Sequence, residues 1–297
     1  MQRRVKLRGD REVTADGSAD HRLISCIIPT CDRPAMLQQA LDSVLHQTTK
    51  PLEIIVVNNG RLAVEDICAG HEAVRLVNAV PYLGVAQARN LGASLAKGDV
   101  LAFLDDDDMW PPDYLGKSIS AISAGAECVV SRIDRLKGSA VSAWKNPGSA
   151  VTVGSLLLRN PGVGGSNVAV CRDVFYAVGG YDTKLETGED KAMVLELLLT
   201  GCTVTTLADN SVVARQHDGL RLTDPAHMWK GKLAFYIKYR KYMSIVQKLQ
   251  VRTQVAGYAR RARKHGKLWS LLVYALHRAA WRTAARVARL FGQQGGK

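Results

Sequence analysis

A short apolar stretch that ends in four consecutive aspartates, Asp105–Asp108, constrains this chain more than any other feature. The apolar residues 100–104, bounded by breakers, are typical of a fully buried strand in a parallel sheet. Four neighbouring carboxylates repel one another and raise each other's pKa, so we expect a positive partner, and a divalent cation with oxygen ligands suits them. The alternative is a polar turn that caps the helix predicted at Pro111–Pro112, although a cap needs a single aspartate.

The order of the four aspartates predicts which of them act together. Alternate side chains of an extended segment point to the same side. We therefore expect Asp105 and Asp107 on one side and Asp106 and Asp108 on the other. One pair can reach a metal–nucleotide, while the other is solvated or caps the next helix.

Strand and helix patterns alternate through the first half of the chain, which indicates right-handed βαβ units and a doubly wound, mostly parallel α/β sheet. Later residues add further strands and helices around a Gly/Ser/Pro-rich stretch, 135–165, that we expect to be a flexible excursion. The predicted strands lie at 23–28, 52–57, 74–77, 100–104, 127–133, 167–171, 203–207 and 212–216, and the predicted helices begin near 34, 61, 85, 111, 172 and 186.

Polar residues follow three of these strands at the point where each ends. Ligands of such sheets bind at the carboxyl ends of the strands, so these residues should line one crevice. For Asn58-Asn59-Gly60 a plain turn is the alternative. The three groups are Pro29, Thr30, Asp32 and Arg33; Asn58, Asn59 and Gly60; and Asp105–Asp108.

The charge of the chain is unevenly distributed. Of 40 Lys and Arg residues, 17 lie in 226–297, which holds no Asp or Glu, although the chain has 27 acidic residues. We expect a disordered basic segment at 1–22, a catalytic domain at 23–224 and a basic helical region at 225–297. That region suits an anionic membrane surface, or else helices that pack on the mildly acidic body or line an acceptor cleft. The sequence does not support nucleic acid as a partner, since it contains no nucleic-acid recognition motif.

The six cysteines are scattered without paired spacing, which is typical of reduced thiols in a cytoplasmic protein. No secretory signal pattern follows the basic N-terminus. The longest apolar candidate, 268–281, is too short to span a bilayer. We therefore expect a cytoplasmic protein that is either free or peripheral on the inner face of the membrane.

Six sequence blocks, in order and with matching spacing over residues 23–220, resemble the family-two GT-A glycosyltransferases. Such enzymes move a sugar from a nucleotide diphosphate to an acceptor with inversion of configuration. The resemblance implies a GT-A fold, with a basic helical extension after it. The blocks are IIPTCDRP (27–34), EIIVVNNG (53–60), GVAQARNLG (84–92), LDDDDMWPPD (104–113), GGYD (179–182) and GED (188–190).

The resemblance implies a nucleotide-sugar site at the crevice. Pro29 and Thr30 would border the nucleobase and the ribose, and Arg89 would lie near the diphosphate, unless it forms a surface salt bridge. Asn59, with Asn58 beside it, stands where relatives often hold an Asp that reads uracil. An Asn amide can still accept from the base N3–H and donate to O4, so a UDP- or dTDP-sugar is expected.

The resemblance also assigns a metal site. Asp105 and Asp107 fall on the D-x-D positions of the family, where Asp107 would bind Mn²⁺ or Mg²⁺. Asp105 or Asp106 would contact the ribose or metal-bound water. The cation neutralises the charge that grows on the β-phosphate of the leaving group. His217 matches a third metal ligand of many relatives, although a lone histidine is more often structural.

Asp190, in Gly-Glu-Asp, is the predicted general base. Inversion needs a carboxylate opposite the leaving diphosphate that takes the proton of the acceptor hydroxyl, and a partly dry pocket would raise its pKa. Glu189 is the rival. A third interpretation is that both residues only stabilise a helix N-terminus.

The resulting hypothesis is a metal-dependent, inverting glycosyltransferase that acts on an acceptor hydroxyl of a polysaccharide, glycolipid, peptide or natural product. A sugar-1-phosphate nucleotidyltransferase is an alternative, but it needs a Gly-rich phosphate loop where this chain has Pro-Thr-Cys-Asp-Arg (29–33). A non-catalytic module that binds a nucleotide or another anion is the second alternative.

Overall fold

The computed structural model describes residues 22–148, 151–216 and 225–262, and these residues form one mixed sheet flanked by helices. The strands are β1 (Ile24–Thr30), β2 (Glu53–Asn58), β3 (Val74–Asn78), β4 (Val100–Phe103), β5 (Asp108–Met109), β6 (Cys128–Lys137), β7 (Ala140–Lys145), β8 (Val168–Cys171) and β9 (Val204–Arg215). The helices are α1 (Pro34–Leu45), α2 (Glu65–Cys68), α3 (Val85–Leu95), α4 (Tyr114–Ser123), α5 (Val153–Leu158), α6 (Arg172–Ala177), α7 (Glu189–Thr200), α8 (Pro225–Tyr239) and α9 (Ile245–Ala262).

The sheet has the order β3-β2-β1-β4-β8-β6-β9-β5, with β7 paired to β6. Strands β3, β2, β1 and β4 are parallel, which confirms the predicted βαβ half. Thr30 lies opposite Asn58, and Ile27 lies opposite Phe103, so these strands end at one edge of the sheet. The polar strand ends therefore lie together at one edge of the sheet, as predicted.

The second half of the sheet is mixed. Strand β8 runs antiparallel to both β4 and β6, whereas β6 and β9 are parallel. The stretch 135–165 is not a structureless excursion, because it completes β6 and contributes β7 and α5. The strand pair predicted at 203–216 is one strand, β9, whose register shifts near Asn210. The shift lets the buried amide of Asn210 donate to Tyr114 O at 3.2 Å.

The central strands are apolar along their length because helices cover both faces of the sheet. Every residue of β1 and β4 is buried. Helix α3 packs closely on β1 and β2 because residue 92 is glycine. A Cβ there would lie 2.5 Å from Ile27 Cγ2 and 3.2 Å from Val57 Cγ2. The predicted helix near 61–71 is reduced to α2, a single turn.

The C-terminal region is helical as far as it is described. Helices α8 and α9 pack on each other, and Lys238 of α8 pairs with Asp182 at 2.8 Å and Glu196 at 3.2 Å. Helix α8 therefore packs on the acidic body, in agreement with the predicted alternative that the basic helices pack there. None of the described helices combines the length and the apolar character needed to cross a membrane. Segments 1–21 and 263–297, on which the remaining predictions for the termini depend, lie outside the described residues.

Gly92→Ala should lower the free energy of unfolding by about 1–3 kcal/mol, because the added methyl overpacks the contact between α3 and β1. Urea unfolding followed by circular dichroism measures the change. Gly154→Ala on α5 is the control, since a Cβ there meets no atom within 4 Å. Equal stability of the two variants would contradict the close approach of α3 to the sheet.

Candidate active site

The aspartates after β4 form a turn and not the extended segment on which the predicted alternation depends. The Asp108 N–H donates to Asp105 O at 3.1 Å. Carboxylate oxygens of Asp105, Asp107 and Asp108 lie within 4.8 Å of one another. This cluster agrees with the expectation that the Asp105 and Asp107 side chains point to the same side. The predicted pairing of Asp106 with Asp108 is wrong, because a turn rather than an extended segment carries them.

Asp106 faces the end of β1 and is buried. It accepts hydrogen bonds from Thr30 Oγ1 at 2.8 Å and from the Cys31 N–H at 3.3 Å, and Arg33 Nη1 lies 3.1 Å from it. Burial raises the pKa of Asp106 to about 6, against the opposing effect of Arg33. Both oxygens are thus engaged by the protein, and the predicted contact of Asp106 with ribose or water stays a prediction.

Two arginines supply part of the positive charge that the aspartates demand. Arg33 Nη1 lies 2.8 Å from Asp107, and Arg89 Nη2 pairs with Asp105. Arg89 is buried on α3, so the alternative of a surface salt bridge is wrong. Its Nη1 lies 2.8 Å from Glu189, and its guanidinium lies 5.1 Å from the Tyr181 ring centroid. The predicted role of Arg33 and Arg89 in donor binding stays a prediction.

Gly165 and Ser166 close the cluster from the segment before β8, and sequence reasoning missed both. Ser166 Oγ accepts the Asp105 N–H at 3.0 Å and donates to Asp108 Oδ2 at 2.5 Å. A Cβ on Gly165 would lie 2.6 Å from Asp105 Oδ2 and overlap the Arg89 guanidinium. The signal in the sequence is a glycine pair directly before a strand, which is typical of a close backbone approach.

Glu189 and Asp190 begin α7 after Gly188, whose φ of 79° places it in the left-handed region. The buried Glu189 is engaged by Arg89, whereas Asp190 Oδ1 accepts the N–H of Lys191 at 2.6 Å. Burial, followed by the charge of Glu189, raises the pKa of Asp190 to about 7. Asp190 therefore fits a general base better than Glu189 does. Their place in the first helical turn also matches the alternative of helix-dipole stabilisation.

Lys145, at the end of β7, was not anticipated as part of this region. Burial lowers its pKa, while Asp190 and Asp108 both act in the opposite direction. Its ammonium also lies 4.3 Å from the Trp144 ring centroid. A lysine from the supposed flexible excursion thus contributes to the electrostatics of both acidic groups.

The polar residues after β1 and β2 hold each other in place. Asp32, with a φ of 57°, accepts the N–H of Arg61 at 2.6 Å and the Tyr82 hydroxyl at 3.0 Å. Asn58 closes its own turn, since its Oδ1 accepts the Gly60 N–H at 3.0 Å. This agrees with the plain-turn alternative for Asn58.

Asn59 differs from its neighbour. Within the part of the chain that the structure describes, no hydrogen bond engages the Asn59 side chain, so Asn59 is the better candidate for reading a base. Pro29 and Thr30 are buried at the end of β1. His217, the predicted third metal ligand, lies outside the described residues.

Arg89→Met should lower the free energy of unfolding by roughly 3–5 kcal/mol, because it leaves buried Glu189 without its partner. In the double variant Arg89→Met/Glu189→Gln, much of this loss should be recovered, since no unpaired buried charge remains. Chemical unfolding of both singles and the double gives the coupling energy. Additive effects would contradict a buried ion pair between these residues.

Known proteins share both sequence features and the fold of this chain. Residues 25–178, more than half of the chain, match the family described as Glycosyl transferase family 2. An uncharacterized glycosyltransferase of Haemophilus influenzae is 29% identical over 189 residues, 59% of this chain and 62% of that protein. The glucosyl-dolichyl phosphate glucuronosyltransferase of Haloferax volcanii is 28% identical over 178 residues, 54% of this chain and 55% of that protein. The chain thus spans less than two thirds of these curated relatives.

Among solved structures, residues 1–349 of S. aureus TarS in complex with UDP-GlcNAc superpose with a TM-score of 0.62. The match covers 86% of this chain and 79% of that chain at 16% identity, so it shows the shared fold. The fold and the family match agree, and the predicted family is confirmed: the chain belongs to glycosyl transferase family 2 and has the GT-A fold.

Proposed function

We propose that this chain is a metal-dependent, inverting glycosyltransferase that moves a sugar from a UDP- or dTDP-sugar to an acceptor hydroxyl. One observation carries the proposal: Arg89 joins Asp105 of the aspartate cluster to Glu189, the neighbour of Asp190. A cluster suited to the donor and a carboxylate suited to a base therefore belong to one connected site. That TarS was crystallised with UDP-GlcNAc supports a nucleotide-sugar donor.

Asp105, Asp107 and Asp108 are the residues that would hold Mn²⁺ or Mg²⁺. Their oxygens fit such an ion, since they lie within 4.8 Å of one another and carboxylates are preferred ligands of hard cations. A bound cation supplies positive charge to the β-phosphate of the departing nucleotide. Arg33 and Ser166 hold Asp107 and Asp108 in place for this role. His217 is proposed as a further ligand.

Asp190 takes the proton from the acceptor hydroxyl. The acceptor oxygen forms its bond to the anomeric carbon while the bond to the nucleoside diphosphate breaks on the opposite face, which inverts the configuration. The Lys191 N–H fixes one oxygen of Asp190 and leaves the other available for the proton. Because its pKa is raised to about 7, Asp190 accepts a proton more readily than an ordinary carboxylate.

On the donor side, Asn59 would read the base, next to Pro29 and Thr30, and Asp32 would shape the loop around it.

For the acceptor we propose a polysaccharide, glycolipid or natural product. The basic residues after 225 support a cytoplasmic location at the inner face of the membrane. A non-catalytic binding module is the remaining alternative, and turnover of a nucleotide sugar distinguishes the two.

Asp107→Ala should abolish both sugar transfer and metal-dependent donor binding. Asp190→Asn should keep donor binding but lower kcat by about 10²–10⁴-fold, because only proton removal is lost. Calorimetry with UDP and Mn²⁺, together with release of UDP from UDP-sugars, measures both properties. Asp66→Asn, at an exposed position of α2, is the matched control. Full turnover by Asp190→Asn would show that another group is the base.

The pH profile should report the Asp190 carboxylate. With its pKa raised to about 7, the group is protonated and inactive as a base below that pH. We expect kcat/KM to rise about tenfold per pH unit below the inflection and to level off above it. The measurement uses saturating metal at every pH. A profile that is flat between pH 5 and 8 would contradict the assignment.

A further inference from the structure

Helices α7, α8 and α9 each carry one cation that lies over an aromatic ring of α8 or α9. Lys232 Nζ lies 5.3 Å from the centroid of the Tyr258 ring, which Arg261 also contacts. Lys191 is 8% exposed, and its Nζ lies 3.4 Å from the Phe235 ring centroid. Lys232 Nζ donates to Gln254 Oε1 at 3.2 Å, and the Arg261 guanidinium lies 4.2 Å from the Tyr258 ring centroid. We refer to Lys191, Lys232 and Arg261 as the basic cluster.

Among the described residues, no Asp or Glu forms an ion pair with any of the three members of the basic cluster. Lys238, only two turns along α8 from Lys232, is by contrast paired with both Asp182 and Glu196. Acidic residues thus pair with the lysine that holds α8 against the body, whereas none of the described acidic residues forms an ion pair with the basic cluster.

Three neighbouring cations without ion-pair partners are electrostatically unfavourable. Burial and the charge of Lys232 lower the pKa of Lys191 to about 7, and burial and Arg261 lower that of Lys232. The aromatic rings of Phe235 and Tyr258 offset part of the cost through cation–π contacts. An anion bound among the three cations would remove most of it.

The basic cluster lies beside the candidate base. Lys191 directly follows Asp190, whose charge acts on the Lys191 ammonium. Helix α8 approaches this segment closely because residue 231 is glycine. A Cβ there would lie 2.8 Å from the backbone oxygen of Thr187, three residues before Asp190. The diphosphate of the donor, in contrast, belongs with the aspartate cluster across the Arg89–Glu189 pair.

We propose that Lys191, Lys232 and Arg261 bind a phosphate group of the acceptor, next to the hydroxyl that Asp190 deprotonates. This assignment rests on the proposed function and narrows its acceptor to a phosphate-bearing molecule. Two lysine ammonium groups and a guanidinium match phosphate oxygens in charge and in hydrogen-bond donors. The phosphate belongs either to a soluble sugar phosphate or to a lipid headgroup, and the chemistry at the cluster is the same.

The test is calorimetric titration of inorganic phosphate into the full chain, with UDP and Mn²⁺ present to occupy the donor site. The wild type should bind phosphate, and Lys191→Met, Lys232→Met and Arg261→Met should each bind it about tenfold more weakly or worse. Lys230→Met and Arg252→Met, exposed on the same helices, are charge-matched controls that should bind like the wild type. Affinity for UDP should stay unchanged in all variants.

Stability supplies a second readout. Lys191→Met removes a buried charge without an acidic partner, so its melting temperature should equal or exceed that of the wild type. A residue that only supports the structure would instead lower the melting temperature when replaced. Phosphate binding like that of the wild type in all three variants, or no binding by the wild type, would overturn the proposal. If the wild type fails to bind UDP, the proposed function fails, while titration without UDP still tests the cluster.

Two further arms identify the source of the phosphate. Glycerol 3-phosphate tests a soluble phosphate ester, and vesicles of phosphatidylglycerol, compared with phosphatidylcholine, test a headgroup. Weaker binding of glycerol 3-phosphate by the variants, with or without weaker vesicle binding, supports a phosphate site. A loss confined to the vesicles would overturn it in favour of a general attraction to a charged surface.

Discussion

The buried guanidinium of Arg89 is the interaction on which the rest of the site depends. An isolated buried charge is very unfavourable, so its place on α3 requires the carboxylates of Asp105 and Glu189. These partners belong to the turn after β4 and to the start of α7, which the chain separates by more than 80 residues. Gly165 completes the arrangement, since any side chain there would occupy the space of the guanidinium. One ion-pair network thus holds both acidic groups at the same sheet edge.

The same network explains how four successive aspartates are tolerated. Arg33 and Arg89 compensate part of their charge, and Thr30 and Ser166 hydroxyls donate to the two most enclosed carboxylates. Burial raises the pKa of Asp108 well above its usual range. The basic cluster beside Asp190 has the opposite sign, and no ion pair with an acidic residue compensates it among the residues that the structure describes. Acceptor and donor would therefore meet at Asp190 from surfaces of opposite charge.

Local patterns were sufficient to predict the parallel half of the fold. Strands β1, β2 and β4 are mostly apolar runs followed by turn-forming or acidic residues, and those signals lie within a few residues of each other. The contacts that complete the site are long-range: Ser166 binds Asp105 across 61 positions. The sequence did not predict the β6–β7 hairpin and α5, because Gly and Ser residues in this stretch are typical of loops. The predicted alternation of the aspartates failed because Asp105–Asp108 form a turn that the Asp108 N–H closes on the Asp105 carbonyl.

The most direct measurement is a crystal structure of the full chain grown with UDP and Mn²⁺, with anomalous scattering recorded from the manganese. We expect a manganese peak at the carboxylates of the aspartate cluster, with Asp107 as a ligand and the nucleotide bound beside Asp105. A nucleotide lodged elsewhere, with Asp105 and Asp107 turned to bulk water, would contradict a role of the aspartate cluster in holding the donor.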